Sequence, residues 1–247
     1  MSRRIESAIR DGKRGNILND KIIIFTGSFG SGKTEIAINY SLKEAKIKNH
    51  AVIVDLDIVN PYFRSREMRE ILKKNGIKVI APPGTLALAD IPLISPEIKG
   101  IIQDSGRVLI LDVGGDDVGA RSLASFYPYL KDLNYQMFMV INPYRPFTGS
   151  FNEIKKMLEE IEISSRLKVN RLISNPNLGL KTDLNLIIRG HELVKEVSKK
   201  LYLPVTYLVI EQSIFQIIKD NQFLKNNNFT ELLIIKKFME LPWNKTN

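Results

Sequence analysis

The apolar run KIIIF is followed at once by TGSFGSGKTE, residues 26–35, and then by helix-like spacing. Within it, Gly27-Ser28-Phe29-Gly30-Ser31-Gly32-Lys33-Thr34 fits G-x-x-x-x-G-K-[ST] without a mismatch. A strand that breaks into glycines and re-forms as a helix admits few folds. The glycines let successive backbone N–H groups turn inward around an anion. The following helix adds free N–H groups and the positive end of its dipole. In such a P-loop, Lys33 places its ammonium on the β- and γ-phosphates of a nucleotide and Thr34 gives its hydroxyl to Mg²⁺. With Glu35, which follows directly, these residues are the expected nucleotide-binding stretch. The plainer alternative is a glycine-rich turn with a chance lysine, and the strand before and helix after weigh against it.

Strand-like runs recur along the chain: KIIIFT (21–26), AVIVDL (51–56), IKVIA (77–81), RVLILDV (107–113), YQMFMVIN (135–142), VNRLIS (169–174) and PVTYLVI (204–210). Between them lie segments with apolar spacing of three and four, such as GSFNEIKKMLEEIEIS and TDLNLIIRGHELVKEVSKKL, the latter with Thr182 placed to cap it. Runs apolar throughout predict strands buried on both faces. The expectation is a doubly wound, mostly parallel seven-stranded sheet with helices on both faces. Residues 20–247 read as a single P-loop nucleotide-binding domain and residues 1–19 as a basic, solvated extension. TELLIIKKFMEL, after the loop KNNNF, reads as a closing helix.

Composition narrows the chemistry. The chain has no cysteine, which excludes disulfides, Cys-ligated zinc and iron–sulfur clusters of its own and fits a reducing cytoplasm. Its two histidines, His50 and His191, have no ligand-like spacing and read as packing or surface residues. No apolar stretch reaches membrane-spanning length, and the first twenty residues have no apolar core for a secretory signal. The net charge is +9, but the charges are scattered without an aromatic-interleaved basic stripe, which argues against nucleic acid as a partner.

A P-loop needs carboxylates at neighbouring strand ends to hold the metal's water shell. RVLILDVGGDD closes on Asp112, the metal-side carboxylate, and Gly114 and Gly115 then let the backbone approach a γ-phosphate. AVIVDLDIVNPYFRSR supplies Asp57, placed to contact Mg²⁺ water or orient the attacking water. Asp55 fits either that role or a strand-end cap. Asp116 and Asp117 fit either an extension of the metal site or solvated loop charges, the latter being the plainer reading. Arg64, Arg66 and Arg121 fit either transition-state neutralisation or surface pairing. Asn175, ending RLIS, offers an amide to adenine, although an Asn-Pro turn needs no ligand.

GSFGSGKTE, DLDI (55–58), DVGGDDVG (112–119) and VINPYRPF (140–147), in that order, resemble the MinD/ParA group of P-loop ATPases related to the nitrogenase iron protein. SNPNLG and VDLDIVNPYFRSRE bring the likeness closer to a little-characterised bacterial subset of that superfamily. The resemblance implies ATP binding and slow hydrolysis used as a switch on a protein client, with Asp57 as the water-activating carboxylate and Glu211 and Gln212 near adenine. It implies a homodimer too. However, the group's second P-loop lysine, which reaches across that dimer, is Ser28 here, and the iron protein's cluster cysteine is missing. No [NT]-K-x-D motif of a dedicated GTPase follows any strand.

Three functions compete: an ATPase switch, a P-loop kinase acting on a small-molecule or polynucleotide hydroxyl, and a non-hydrolysing assembly module. NPYFRSREMRE could serve a kinase as an arginine-rich lid. Residues 82–105 are the one sizeable insertion and read as a loop and short helix.

Overall fold

A computed structural model describes residues 21–48, 51–57, 68–80, 96–104, 106–115, 117–225 and 230–239. The extension 1–19, His50, Arg64, Arg66, Asp116 and most of the 82–105 insertion lie outside the described residues, as does the side chain of Asp117.

The strands are β1 (Ile22–Thr26), β2 (Ala51–Leu56), β3 (Ile77–Ile80), β4 (Val108–Val113), β5 (Gln136–Ile141), β6 (Arg171–Ser174), β7 (Val205–Glu211) and β8 (Glu231–Ile235). They form one eight-stranded sheet in the order β3-β2-β4-β1-β5-β6-β7-β8, and every pairing is parallel. The helices are α1 (Lys33–Lys48), α2 (Arg69–Lys74), α3 (Pro96–Gln103), α4 (Asp117–Ala124), α5 (Tyr127–Leu130), α6 (Phe151–Ser165), α7 (Leu184–Leu201), α8 (Gln212–Ile218) and α9 (Gln222–Lys225).

Alternation along each strand sorts the core into two layers. Ile22 and Ile24, with Val52, Val54, Leu109, Leu111, Met137 and Met139, pack on one face against Leu123, Ile154, Leu158 and Val194 of α4, α6 and α7. Ile23 and Phe25, with Ile53, Ile110, Phe138 and Val140, face Ile36, Ala37 and Tyr40 of α1. Both faces are therefore covered, which is why the central strands carry no polar alternation. Each side chain of this size, fully buried, contributes about 1.5–3 kcal/mol. The edge strands differ: β3 and β8 expose Lys78 and Glu231, charges that blunt an open edge.

Two expectations need correcting. TELLIIKKFMEL is not a closing helix, because residues 231–235 pair with β7 as an eighth strand. Its β-branched ELLII run buries alternate residues Leu233 and Ile235, a period of two that the short apolar run concealed. Thr182 does not cap α7. Asp183 does, its carboxylate accepting from the Leu186 N–H at 2.8 Å, while the Thr182 hydroxyl accepts from Leu178 N. The ionised carboxylate is the stronger acceptor.

The central strand β1 has β4 on one side and β5 on the other. Chain connections diverge there, and in such sheets ligands bind beyond the carboxyl ends of the strands at that point.

Candidate functional site

β1 ends at Thr26, and the chain then turns over the sheet edge before α1 rises from Lys33. Gly27, Gly30 and Gly32 have φ of 137, 71 and 92°, the left-handed half of backbone space. Space is restricted as well. A Cβ on Gly27 would lie 2.4 Å from the Val140 carbonyl oxygen, and one on Gly32 would lie 2.4 Å from Asn175 Nδ2. The motif's glycines thus serve both the turn and the close approach of β5 and β6.

Inside the loop the Ser31 N–H donates to the Ser28 carbonyl at 3.2 Å, and Lys33 Nζ donates to the same carbonyl at 3.0 Å. Lys33 is 6% exposed, so its ammonium lies within the loop rather than in solvent. The hydroxyls of Ser28 and Ser31 are buried without a hydrogen-bond partner. Phe29, at the tip, is exposed.

Three aspartates gather on the β2–β4 side. Asp55 and Asp112 are register partners on adjacent strands, and both are fully buried. Asp55 accepts from the Asp57 N–H at 3.0 Å, which turns the chain just after β2 and buries Asp57. Asp112 is held well above the ordinary carboxylate range, first by burial and then by Asp55. Asp57 pushes the same way, while Lys33 and the Thr34 hydroxyl oppose it. Thr34 lies close enough to favour the charged form, yet no hydrogen bond of good geometry reaches either Asp112 oxygen. A buried carboxylate left this way is costly unless a cation joins it.

These groups fit a Mg²⁺–phosphate pair. Among the described residues no group of three His, Asp or Glu forms a self-standing metal site. A P-loop Mg²⁺ needs none, since phosphates and waters supply most of its ligands. Gly115 closes the wall: a Cβ there would lie 2.6 Å from Phe29 N and 2.7 Å from Lys33 Nζ. A cleft of about 460 Å³ adjoins Gly27, Gly114 and Gly115, with Met157 and Ile161 of α6 also lining it.

The remaining expected residues separate. Asn175, at the end of β6, is buried and donates its Nδ2 to the Ser31 carbonyl at 2.7 Å, so it is tied to the loop itself. The Glu35 carboxylate accepts from the backbone N–H groups of Phe238 and, at 3.2 Å, Met239, and so anchors the segment after β8. Glu211 ends β7 and accepts from Ser213 Oγ at 3.0 Å, and Gln212 opens α8. Arg121 is exposed on α4.

Sequence reasoning missed Arg145. Its Nε donates to the Gly30 carbonyl at 3.1 Å across the β5 side of the loop. It lay within VINPYRPF, but only the pairing of β5 with β1 brings it to residue 30.

No protein-family model matches the chain, and no curated protein does. Solved structures do. Cell division protein FtsY from Thermotoga maritima aligns at 15% identity over 83% of this chain and 70% of that one, with a TM-score of 0.52. FtsY from Mycoplasma mycoides aligns at 12% identity over 82% of this chain and 67% of that one, TM-score 0.47. The 54 kDa signal recognition particle protein from Aeropyrum pernix K1, solved with GDP, aligns at 14% identity over 83% of this chain, TM-score 0.48, and this chain spans 48% of its length. The Thermotoga likeness, with the parallel sheet and its loop, shows a P-loop NTPase fold.

Proposed function

We propose that this chain is a Mg²⁺-dependent nucleoside triphosphatase that prefers ATP and acts as a switch on a partner protein, in the manner of MinD/ParA-like ATPases. One observation carries the reading. At the carboxyl edge of the central strands, buried oxygens of Ser28, Ser31 and Asp112 have no partner, beside a buried ammonium and a glycine-built loop. Native proteins leave few buried polar atoms unsatisfied, and four of the nine such atoms among the described residues gather at this one loop edge.

In this reading the loop N–H groups and Lys33 hold the phosphates, and Thr34 would hold Mg²⁺ with Asp112 and Asp57 acting on its water shell. Bound there, the metal supplies charge neutralisation to the phosphoryl oxygens. Asp57 orients the attacking water, which needs only a carboxylate at the mouth of the loop and no covalent step. Gly114 and Gly115 form the element that senses the terminal phosphate, since Gly115 touches the loop and Lys33 while the adjoining cleft gives the turn room to move.

Preference for ATP over GTP rests on Asn175. One Nδ2 N–H is committed to Ser31, which leaves the carbonyl oxygen and a second N–H for a base. The oxygen accepts from adenine's amino group while the remaining N–H donates to the adjacent ring nitrogen, a bidentate pairing that suits adenine.

Phosphate release by the purified protein with Mg²⁺-ATP tests the reading. Steady release is expected, lost in Lys33→Ala and slowed about a hundredfold or more in Asp57→Ala with binding kept, as removal of a water-orienting group predicts. Transfer that appears only with an added hydroxyl acceptor would replace the switch with a kinase. ATP binding without any turnover would leave an assembly module.

A further inference from the structure

Two consecutive P-loop carbonyls are held from outside the loop. Arg145 Nε donates to the Gly30 carbonyl at 3.1 Å, and Asn175 Nδ2 donates to the Ser31 carbonyl at 2.7 Å. The donors come from different strand ends, β5 and β6, and each reaches its carbonyl beside a glycine. A Cβ on Gly30 would stand 3.3 Å from Arg145 Nε, and one on Gly32 would collide with Asn175 Nδ2. A trans peptide points its N–H opposite its carbonyl. Fastening these two carbonyls outward therefore aims the Ser31 N–H at the Ser28 carbonyl, the bond that closes the loop's turn, and the Gly32 N–H into the loop.

The turn that carries Arg145 is itself fastened. The Arg145 N–H donates to the Asn142 carbonyl at 3.1 Å, and the Thr148 hydroxyl shares its one proton between the Asn142 and Arg145 carbonyls, 2.6 and 2.8 Å away. Asn142 Nδ2 ties this turn to the Asn177 carbonyl at 2.8 Å, and the Tyr144 hydroxyl donates to the Leu186 carbonyl at 2.6 Å. Phe147, exposed, adopts φ of 63°, a conformation that bulky residues avoid unless the surroundings impose it. Arg145 itself is solvent-accessible. The rigid turn fixes where the Arg145 side chain starts, within reach of the Gly30 carbonyl.

We infer that Arg145 is a positioning residue of the phosphate site, a pin that pre-shapes the anion-binding loop before a triphosphate arrives. Its ligand consequence rests on the nucleotide reading above. Pre-organised donors cost no rearrangement on binding, so loss of the pin appears in phosphate affinity.

The test uses two variants of the full chain. Gln carries Nε2 at the same number of bonds from the backbone as Arg Nε, so Arg145→Gln keeps the donor without the charge. Arg145→Met keeps the reach and loses both. Amide hydrogen exchange of the nucleotide-free protein is read at Ser31 and Gly32, and affinity for Mg²⁺-ATP is measured beside adenosine as a probe without phosphates. The expected result is at least tenfold faster exchange at those amides and about tenfold weaker ATP affinity in Arg145→Met, the scale of one lost hydrogen bond. Arg145→Gln should stay within threefold of the original chain, and adenosine affinity should be unchanged in both. Unchanged exchange in Arg145→Met, or equal losses in Met and Gln, overturns the pin. If the unsubstituted chain takes up no ATP, the nucleotide reading fails while the exchange experiment still decides the pin.

Discussion

Asp55 and Asp112 lie side by side on neighbouring parallel strands, fully buried, with Lys33 the cation set against Asp112. Burial and the Asp55 charge both disfavour ionisation of Asp112. Asp112→Asn removes that conflict and keeps the shape. In nucleotide-free protein at neutral pH it is expected to raise stability by about 1 kcal/mol, a gain typical of relieving a functional site. The same substitution should abolish Mg²⁺-dependent phosphate release. Urea unfolding and turnover, measured together, check the opposed signs, and a destabilised variant would refute the relationship.

Gly115 touches the loop so closely that a single methyl group is decisive. Its Cβ would fall 2.6–2.7 Å from Phe29 N, Ser28 C and Lys33 Nζ. Gly115→Ala is therefore expected to weaken triphosphate binding about tenfold or more, overpacking of this kind costing roughly 1–3 kcal/mol. At Gly100, in α3, a Cβ would meet no atom within 4 Å. Gly100→Ala should leave binding intact and stabilise by about 0.5–1 kcal/mol as a helix substitution. Calorimetric titration of both variants makes the comparison.

Glu35 follows Thr34 in sequence, but its carboxylate accepts from Phe238 and Met239 at the far end of the chain. Asn39, one turn on, exchanges two hydrogen bonds with Lys236, and Lys43 pairs with Glu231. Glu35→Ala should cost about 2 kcal/mol of stability by orphaning two N–H groups, with ATP affinity changed less than about threefold. Chemical denaturation and titration separate the two effects, and a large affinity loss would return Glu35 to the nucleotide.

His191 lies wholly buried in α7 against Phe223, and neither ring nitrogen has a hydrogen-bond partner. Burial, with Lys195 adding to it, pushes its pKa down to about 4. Since the folded value lies below the unfolded one, the unfolded chain binds the extra proton between them. Stability contributed by neutral His191 is full above about pH 6.5 and is lost as pH falls toward 4, a change of about 3 kcal/mol. His191→Met should flatten that part of a stability–pH curve. An unaltered slope would show that other groups carry it.

Much of this was legible from residue order. The alternation of apolar runs with helical spacing specified a parallel sheet covered on both faces, because buried strands must be apolar throughout. The loop was legible for a local reason: GSFGSGKT takes a shape that its own glycines permit. β8 was not legible, since ELLII is too short for its period to show until β7 lies beside it.

What the tertiary structure alone decided is which distant groups meet that loop. Arg145 and Asn175 reach carbonyls at residues 30 and 31 because β5 and β6 stack beyond β1, and the Glu35 carboxylate is taken up by the segment after β8, the strand that ends that same side of the sheet. Local conformation follows from the preferences of adjacent residues, and sequence carries those directly. Contacts between residues far apart in the chain depend on strand order, a collective outcome of burying two sheet faces that no short stretch encodes.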